Sequence, residues 1–341
     1  MQILPFRSPL AAYEEQARAM TLPFDEACTS VAHAHDFQDW PSLAAYVAAV
    51  TADGPVYRFE AAVEAIVNGD LNSLQSLLRR DPELVHARSS RVCRFDPPVH
   101  RATLLHYIAA NGVEGYRQKS PANAPEMARL LLAAGAAPDA LADFYGVECT
   151  TLALLVSSSP PRDVGTQCAL VEALLDYGAA VDGKGSRKWG GPLRTALTFS
   201  VNEAARLLVR RGASIGFVEA AGLGLPAEIV RMLPEAGAEE RHRAFSLAAQ
   251  NGQEAVVRLL LDAGEDPSRY NLPGNHAHST PLHQSVLGGH ADVVRLLVER
   301  GAQLDLRDTV YNGTALGWAI YGGGARGAEM AELLRSLGAR E

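Results

Sequence analysis

Hydrophobic residues in this chain recur as pairs of leucines, each followed within a few positions by a glycine. The pattern Leu-Leu-x-x-Gly-Ala, or a close variant, occurs seven times, and its glycines are 25 to 43 residues apart. They are Gly135, Gly178, Gly212, Gly237, Gly264, Gly301 and Gly338. This spacing is typical of stacked repeats. It predicts an all-α solenoid of helix-turn-helix units, each burying its apolar face against its neighbours.

The most regular unit runs from residue 280 to residue 308 and predicts two short helices joined by a glycine turn. In the second helix, residues 292–300, Val293, Leu296 and Leu297 occupy one face, whereas Asp292, Arg295 and Glu299 occupy the other. Gly301 follows directly, where a left-handed backbone would end the helix. The first face should therefore be buried and the second exposed to water.

The opening of this unit, Thr280-Pro281-Leu282-His283, together with its Leu-Leu-x-x-Gly-Ala ending, resembles the ankyrin repeat. Similar openings recur near residues 103, 151, 192, 247 and 314. The seven leucine-pair endings, together with a looser unit that begins near Phe59, make about eight units. The resemblance implies that His283, and His106 in the same position, hydrogen-bond to backbone across units. It also implies a protein-binding role.

Two units are longer than the rest because residues are inserted between their helices, at 113–125 and 158–165. Pro160 and Pro161 prevent one helix from running through the second insertion. We expect both insertions to project from the turns, as partner contacts or as covers for a neighbouring face. An alternative is a ligand-binding, metal-binding or enzymatic site built under them.

Residues 1–55 precede the repeats, which we assign to 56–341, and they predict three helices. The stretch from Phe37 through Trp40-Pro41 to Leu43 resembles a leader found ahead of bacterial ankyrin-repeat proteins. Terminal repeats need a cap over their exposed apolar end. We therefore expect Phe37 and Trp40 to form an N-terminal helical cap.

Composition narrows the class of protein. No apolar run reaches the roughly 18 to 20 residues that cross a bilayer, and the N-terminus lacks the pattern of a secretory signal, so we expect a cytoplasmic monomer. The four cysteines are far apart and include no Cys-x-x-Cys pair, which predicts reduced thiols. The net charge of -8 disfavours nucleic acid as a partner.

The segments between repeats contain aromatic and basic residues, which are enriched where partners bind. Our candidate partner-binding residues are Tyr145, Lys184, Arg187, Lys188, Trp189, Arg194, Tyr270, His276, His278 and Tyr311. Residues 183–212 hold seven basic side chains against one acidic side chain. This excess favours an acidic peptide or protein partner, unless the charges are paired internally.

Candidate chemistry is sparse. The chain has no Gly-x-Ser-x-Gly, no phosphate-binding Gly-x-x-x-x-Gly-Lys-Ser/Thr and no His-Glu-x-x-His, so we predict a noncatalytic protein without a cofactor. His276, His278 and His283 could ligate zinc if they converged. No cysteine or aspartate lies beside them to complete a tetrahedron, so we predict no metal site there.

Overall fold

A computed structural model describes residues 1–185 and 190–340 of the protein. The described residues divide into two compact units, Met1–Pro192 and Leu193–Glu341. Both are built mainly from α-helices, as the hydrophobic pattern predicts.

Unit 1 begins with three helices and continues with three helix pairs. The N-terminal helices are α1 (Leu10–Arg18), α2 (Phe24–Ala34) and α3 (Trp40–Thr51). The pairs are α4 (Pro55–Asn68) with α5 (Leu71–Arg80), α6 (Leu104–Ile108) with α7 (Ala124–Ala133), and α8 (Thr151–Leu155) with α10 (Gln167–Asp176). A short helix, α9 (Ser159–Asp163), lies between α8 and α10, and short 3-10 turns span Pro82–Val85 and Gly115–Arg117. The strands β1 (Ala142–Phe144) and β2 (Val147–Cys149) form an antiparallel hairpin, in which Asp143 faces Glu148.

Unit 2 consists of helix pairs, and a short connection joins the two helices of each pair. They are α11 (Pro192–Thr198) with α12 (Asn202–Arg210), α13 (Phe217–Leu223) with α14 (Pro226–Met232), and α15 (Ala238–Gln250) with α16 (Glu254–Asp262). Two further pairs follow, α17 (Pro281–Leu287) with α18 (Ala291–Glu299), and α19 (Ala315–Gly322) with α20 (Gly327–Ser336). A 3-10 turn, Gly324–Arg326, joins the last two helices.

Successive pairs pack in register within each unit. In unit 1, α4 contacts α6, α6 contacts α8, and α7 packs between α5 and α10. In unit 2, α15 packs between α13 and α17, and α16 packs between α14 and α18. This is the nearest-neighbour packing by which repeat proteins build a core. The predicted all-α repeat fold is confirmed.

The amphipathic pattern of α18 determines which face is buried. Val293, Leu296 and Leu297 are buried, whereas Asp292, Arg295 and Glu299 are exposed. Gly301 has φ 92°, a left-handed conformation that a residue with a Cβ adopts only at a cost. Gly237 differs from the other six repeat glycines, because its φ is -69° and it immediately precedes α15. No connecting segment separates this ending from the next helix.

The histidines of the repeat openings link neighbouring repeats, as the resemblance implies. Nδ1 of His283 accepts from the hydroxyl of Thr280 at 2.8 Å, and its Nε2 lies 3.2 Å from the carbonyl oxygen of Gly313. His106 makes the same contacts with Thr103 and with the carbonyl oxygen of Cys149. Each ring therefore caps the helix to which it belongs. It also makes a hydrogen bond to the backbone just before the first helix of the following repeat.

The insertion between α6 and α7 folds inward, which corrects the expectation that it projects. Glu114 and Arg117 are buried at its centre, because carboxylates and guanidiniums from the N-terminal part of unit 1 surround them. In the second insertion, Pro160 and Pro161 lie in the first turn of the separate helix α9. A proline is tolerated there, since that turn leaves its backbone N–H groups without helical partners.

The N-terminal helices contact the first repeat through α3, which packs on α4. Phe37 is buried among the side chains of α1, α2 and α3, and Trp40 is partly buried against the same cluster. The N-terminal cap therefore stays a prediction, since Phe37 and Trp40 pack among the N-terminal helices themselves.

None of the four cysteines forms a disulfide bond within the described residues, in agreement with the sequence pattern. Within residues 1–185 and 190–340 we find no helix with both the length and the apolarity that a bilayer crossing requires.

Candidate partner-binding site

A groove of about 1240 Å³ lies in unit 2 and is lined by aromatic and apolar side chains. Its walls come from the ends of α11 and α15, from α17 and the segment before it, from α19 and the loop before it, and from α20. We call it the aromatic groove and define it by Phe199, His276, His278, Tyr311, Trp318 and Tyr321. Tyr311 is 76% exposed and Tyr321 is 91% exposed, so much of this surface faces water.

Asp308 shapes one wall of the aromatic groove. Its carboxylate accepts hydrogen bonds from the backbone N–H groups of Val310, Tyr311 and Gly313 at 2.9, 2.6 and 2.8 Å, and from Nε1 of Trp318 at 2.9 Å. Burial by itself would raise the pKa of Asp308, but these hydrogen bonds outweigh it and hold that pKa well below its usual range. The ionised carboxylate therefore positions Tyr311 and Trp318 together.

The histidine rings form an aromatic edge beside this wall. The ring centroid of His278 is 6.2 Å from that of Tyr311 and 5.7 Å from that of Trp318. His276 lies 6.1 Å from His278, and its Nε2 is 3.1 Å from the carbonyl oxygen of Thr198. Burial lowers the pKa of His276, which keeps this ring neutral near pH 7.

The charged residues that line the aromatic groove are both cationic. They are Arg307, whose Nη1 donates to the carbonyl oxygen of Asn312 at 2.8 Å, and Arg335. No aspartate or glutamate is found among the described residues of the lining. The groove therefore offers aromatic surface together with positive charge.

Three predicted binding residues, His276, His278 and Tyr311, come together in the aromatic groove. Tyr270 lies next to it, since its hydroxyl donates to the carbonyl oxygen of Arg307. Two of the three histidines considered above as zinc ligands make hydrogen bonds within the protein. His283 has both ring nitrogens engaged in hydrogen bonds, and His276 bonds to backbone through Nε2.

The other predicted binding residues lie outside this groove. Tyr145 is at the tip of the β1–β2 hairpin, 58% exposed, and its hydroxyl donates to Oδ1 of Asn111 at 2.7 Å. Nζ of Lys184 is 3.0 Å from Asp139, and Nε of Arg194 is 2.7 Å from Glu219. Internal pairing thus accounts for two of the basic residues. Arg187, Lys188 and Trp189 lie outside the described residues.

Sequence reasoning missed three members of the groove, Phe199, Trp318 and Tyr321. Phe199 follows the last residue of α11, and the other two lie on α19, so all three belong to first helices of repeats or their ends. The aromatic residues predicted to bind a partner all belong to the connecting segments. The available signal was the aromatic content of α19, which holds Trp318 and Tyr321 on a helix with an apolar sequence.

Sequence reasoning also missed a buried ionic cluster in unit 1. Nη2 of Arg117 lies 2.7 Å from Glu60 and 2.9 Å from Glu64, and its Nη1 lies 3.6 Å from Glu114. Nε of Arg91 is 3.5 Å from Glu114. The Arg91 guanidinium lies over the ring of Phe37, with its central carbon 3.8 Å from the ring centroid. These residues come from α4, the segment before α6 and the first insertion, so their spacing in sequence carries no recognisable motif.

The charges of this cluster stabilise one another. Burial would raise the pKa of Glu114, but Arg117 and Arg91 overcome this effect and lower it to about 2. Burial also raises the pKa of Tyr46, whose hydroxyl donates to Glu60 at 3.0 Å. Glu114 is therefore ionised and the Tyr46 phenol is protonated at neutral pH.

Comparison with known proteins confirms ankyrin repeats in this chain. Residues 245–340 match the family model described as "Ankyrin repeats (3 copies)". The matched segment contains the C-terminal end of α15 and all of α16 to α20, and it therefore includes most of the aromatic groove.

Relatives with ankyrin repeats are similar over parts of the chain. The mouse "Ankyrin repeat and SAM domain-containing protein 6" is 37% identical over 90 residues, which cover 26% of this chain and 10% of that protein. The Caenorhabditis elegans "Ankyrin repeat and KH domain-containing protein mask-1" is 27% identical over 224 residues, covering 63% of this chain and 8% of that protein. This chain thus spans a tenth or less of the length of either relative. A solved structure, the human ASB11 ankyrin repeat domain, aligns with 70% of this chain and all of its own at 20% identity and a TM-score of 0.32.

Proposed function

We propose that this protein is a noncatalytic binding module and that the aromatic groove holds an acidic peptide segment of a protein partner. The observation that carries the proposal is the combination of exposed aromatic rings with Arg307 and Arg335 in one lining. Ankyrin repeats generally bind protein partners, and residues 245–340 match that family.

The aromatic rings would supply most of the binding free energy. Tyrosine and tryptophan bury a large area with few rotatable bonds, and they are enriched among the residues that dominate interfaces. Tyr311 and Tyr321 are mostly exposed, so a partner that covers them removes their apolar atoms from water. Trp318, already held by Asp308, would provide a rigid base for the site.

Arg307 would select the charge of the partner, because its guanidinium donates to a neutral carbonyl oxygen. A glutamate or aspartate side chain that approaches Arg307 meets no like charge among the described lining residues. Opposite charges across an interface increase specificity and the rate of association, and this effect weakens as salt increases. An acidic segment with aromatic or aliphatic residues therefore matches both the positive charge and the aromatic surface of the groove.

The test begins with selection from a random-peptide display library on the wild-type chain, followed by affinity measurement on the selected peptides. We expect the selected sequences to be acidic and to contain apolar residues. The double substitution Tyr311→Ala with Tyr321→Ala should weaken their binding at least tenfold. Tyr177→Ala is the matched control, since Tyr177 is exposed in unit 1 and should leave affinity unchanged.

A charge reversal separates the acidic preference from aromatic packing. Arg307→Glu should weaken binding of the same peptides, and the loss of affinity should be smaller at high salt. Arg231→Glu, on the surface of α14 and paired with Glu228, changes the net charge equally without touching the groove. Equal binding by wild type and by the double tyrosine variant would refute the groove as the site. Selection of peptides without acidic residues would refute the preferred partner.

A further inference from the structure

A second cluster of reactive side chains lies in unit 1, apart from the aromatic groove. Sγ of Cys93, a ring nitrogen of His100 and a carboxylate oxygen of Glu114 all lie within 4.8 Å of one another, and all three residues are buried. Cys93 and His100 come from the segment between α5 and α6, and Glu114 comes from the first insertion.

The hydrogen bonding of this cluster is incomplete. His100 is 1% exposed, yet neither of its ring nitrogens has a hydrogen-bond partner. Oε2 of the fully buried Glu114 has no hydrogen bond either, although Nη1 of Arg117 lies 3.6 Å from it. Buried polar atoms in folded proteins are nearly always bonded, so the two ring nitrogens of His100 point to a ligand that the protein side chains do not supply.

We propose that Cys93, His100 and Glu114 form a zinc-binding site. Thiolate, imidazole and carboxylate are the three ligand types that zinc takes in proteins, whereas magnesium and calcium prefer oxygen ligands alone. A site with three protein ligands leaves one tetrahedral position for water.

The distances fit a zinc ion after a small adjustment. Zinc–sulfur and zinc–oxygen bonds of about 2.3 and 2.0 Å in tetrahedral geometry place the two ligand atoms about 3.5 Å apart. Sγ of Cys93 and Oε1 of Glu114 are 3.4 Å apart. The ring nitrogen of His100 lies within 4.8 Å of both atoms, so it would need to move closer by no more than about 1.5 Å to reach a similar spacing.

The surrounding charge also favours the ion. The carboxylates of Glu60, Glu64 and Glu114 exceed the guanidiniums of Arg91 and Arg117 by one negative charge. A zinc ion adds two positive charges, and the loss of the Cys93 proton on binding removes one. The buried cluster would therefore be neutral with zinc bound.

Neighbouring protein groups hold the side chains of Cys93 and His100 in place. The ring of His100 stacks on that of Phe144 with centroids 5.1 Å apart. The backbone N–H of Cys93 donates to the carbonyl oxygen of Pro98 at 2.7 Å, which closes the loop that carries both ligands. Such supporting contacts orient metal ligands and affect metal affinity.

The experiment measures metal content and coordination in the full chain. The wild type, stripped with a chelator and then dialysed against Zn²⁺, should retain one ion per chain by elemental analysis. X-ray absorption on that sample should show one sulfur at about 2.3 Å and nitrogen or oxygen neighbours at about 2.0 to 2.1 Å. Retention of less than one-tenth of an ion per chain, or a zinc shell without sulfur, would overturn the proposal.

Variants assign the ligands. Titration of the stripped protein with Co²⁺ should produce a thiolate-to-cobalt charge-transfer band. This band should disappear in Cys93→Ser, and metal affinity should fall at least tenfold in His100→Gln. Cys28→Ser is the matched control, because Cys28 is a buried thiol in α2 of the same unit. A band that persists in Cys93→Ser would overturn the assignment, and should that variant fail to fold, the wild-type absorption spectrum still decides whether sulfur is a ligand.

Discussion

Arg117→Met provides the sharpest test of how unit 1 is held together. Arg117 is buried, and its guanidinium lies within 4 Å of carboxylate oxygens of Glu60, Glu64 and Glu114. Methionine preserves much of the volume of the side chain but removes its charge and all of its donors. Glu60 and Glu114 then remain buried while losing a counter-charge.

The magnitude follows from burial. The side chains of Glu60 and Glu114 are 2% and 0% exposed, so solvent screens their charges weakly. Removing one partner of a buried ion pair typically costs about 3 to 5 kcal/mol, because the remaining charge has lost its hydration without compensation. We therefore expect Arg117→Met to lower the free energy of unfolding of unit 1 by about this amount.

The assay is urea unfolding with pulse-labelling hydrogen exchange, which resolves peptides of unit 1 from those of unit 2. Adding Glu60→Gln to Arg117→Met removes one of the orphaned charges. The double variant should therefore be more stable than the sum of the two single losses predicts, by about 0.5 to 3 kcal/mol.

Arg18→Met is the control, since Arg18 forms an exposed ion pair with Glu14, its side chain being 61% exposed. Exposed pairs contribute about 0.2 to 1 kcal/mol, so this variant should remain close to wild type. A loss below about 1 kcal/mol for Arg117→Met would refute the reasoning, because the buried carboxylates would then be compensated in some other way.

Three further predictions concern the repeat core, the groove wall and the response to pH. Leu297→Ala should destabilise unit 2 by about 2 to 5 kcal/mol because it empties a fully buried position, whereas Glu299→Ala on the exposed face should have little effect; equal thermal shifts would contradict the assignment of faces. Asp308→Asn should destabilise the same unit by about 2 to 4 kcal/mol, because an amide cannot accept all four hydrogen bonds, and denaturant unfolding would measure the loss. Burial lowers the pKa of both His35 and His106 to about 4, so the unfolded chain binds more protons between pH 6.5 and pH 4. The stability that each neutral ring contributes is present above pH 6.5 and is lost as the pH falls towards 4, by up to about 3 kcal/mol each; an unfolding free energy for unit 1 that stays constant over this range would contradict the prediction.

The sequence by itself determined the repeat fold. The leucine pairs of helices such as α18 place apolar side chains on one face, and the following glycine ends the helix, as the φ of Gly301 shows. These signals are local, since they depend on residues within one or two helical turns. The openings with Thr280 and His283 were equally readable, because the hydroxyl and the ring belong to the same turn.

Only the tertiary structure decided which side chains meet. His276, His278 and Tyr311 belong to the aromatic groove, yet the groove also needs Trp318 and Tyr321 of α19, whose aromatic content alone did not show that they face the groove and not the core. The buried cluster around Arg117 joins residues separated by up to 71 positions. Such contacts depend on how consecutive helices stack and how an insertion folds back, and these are set by packing between neighbouring repeats and not by the periodicity of any single segment.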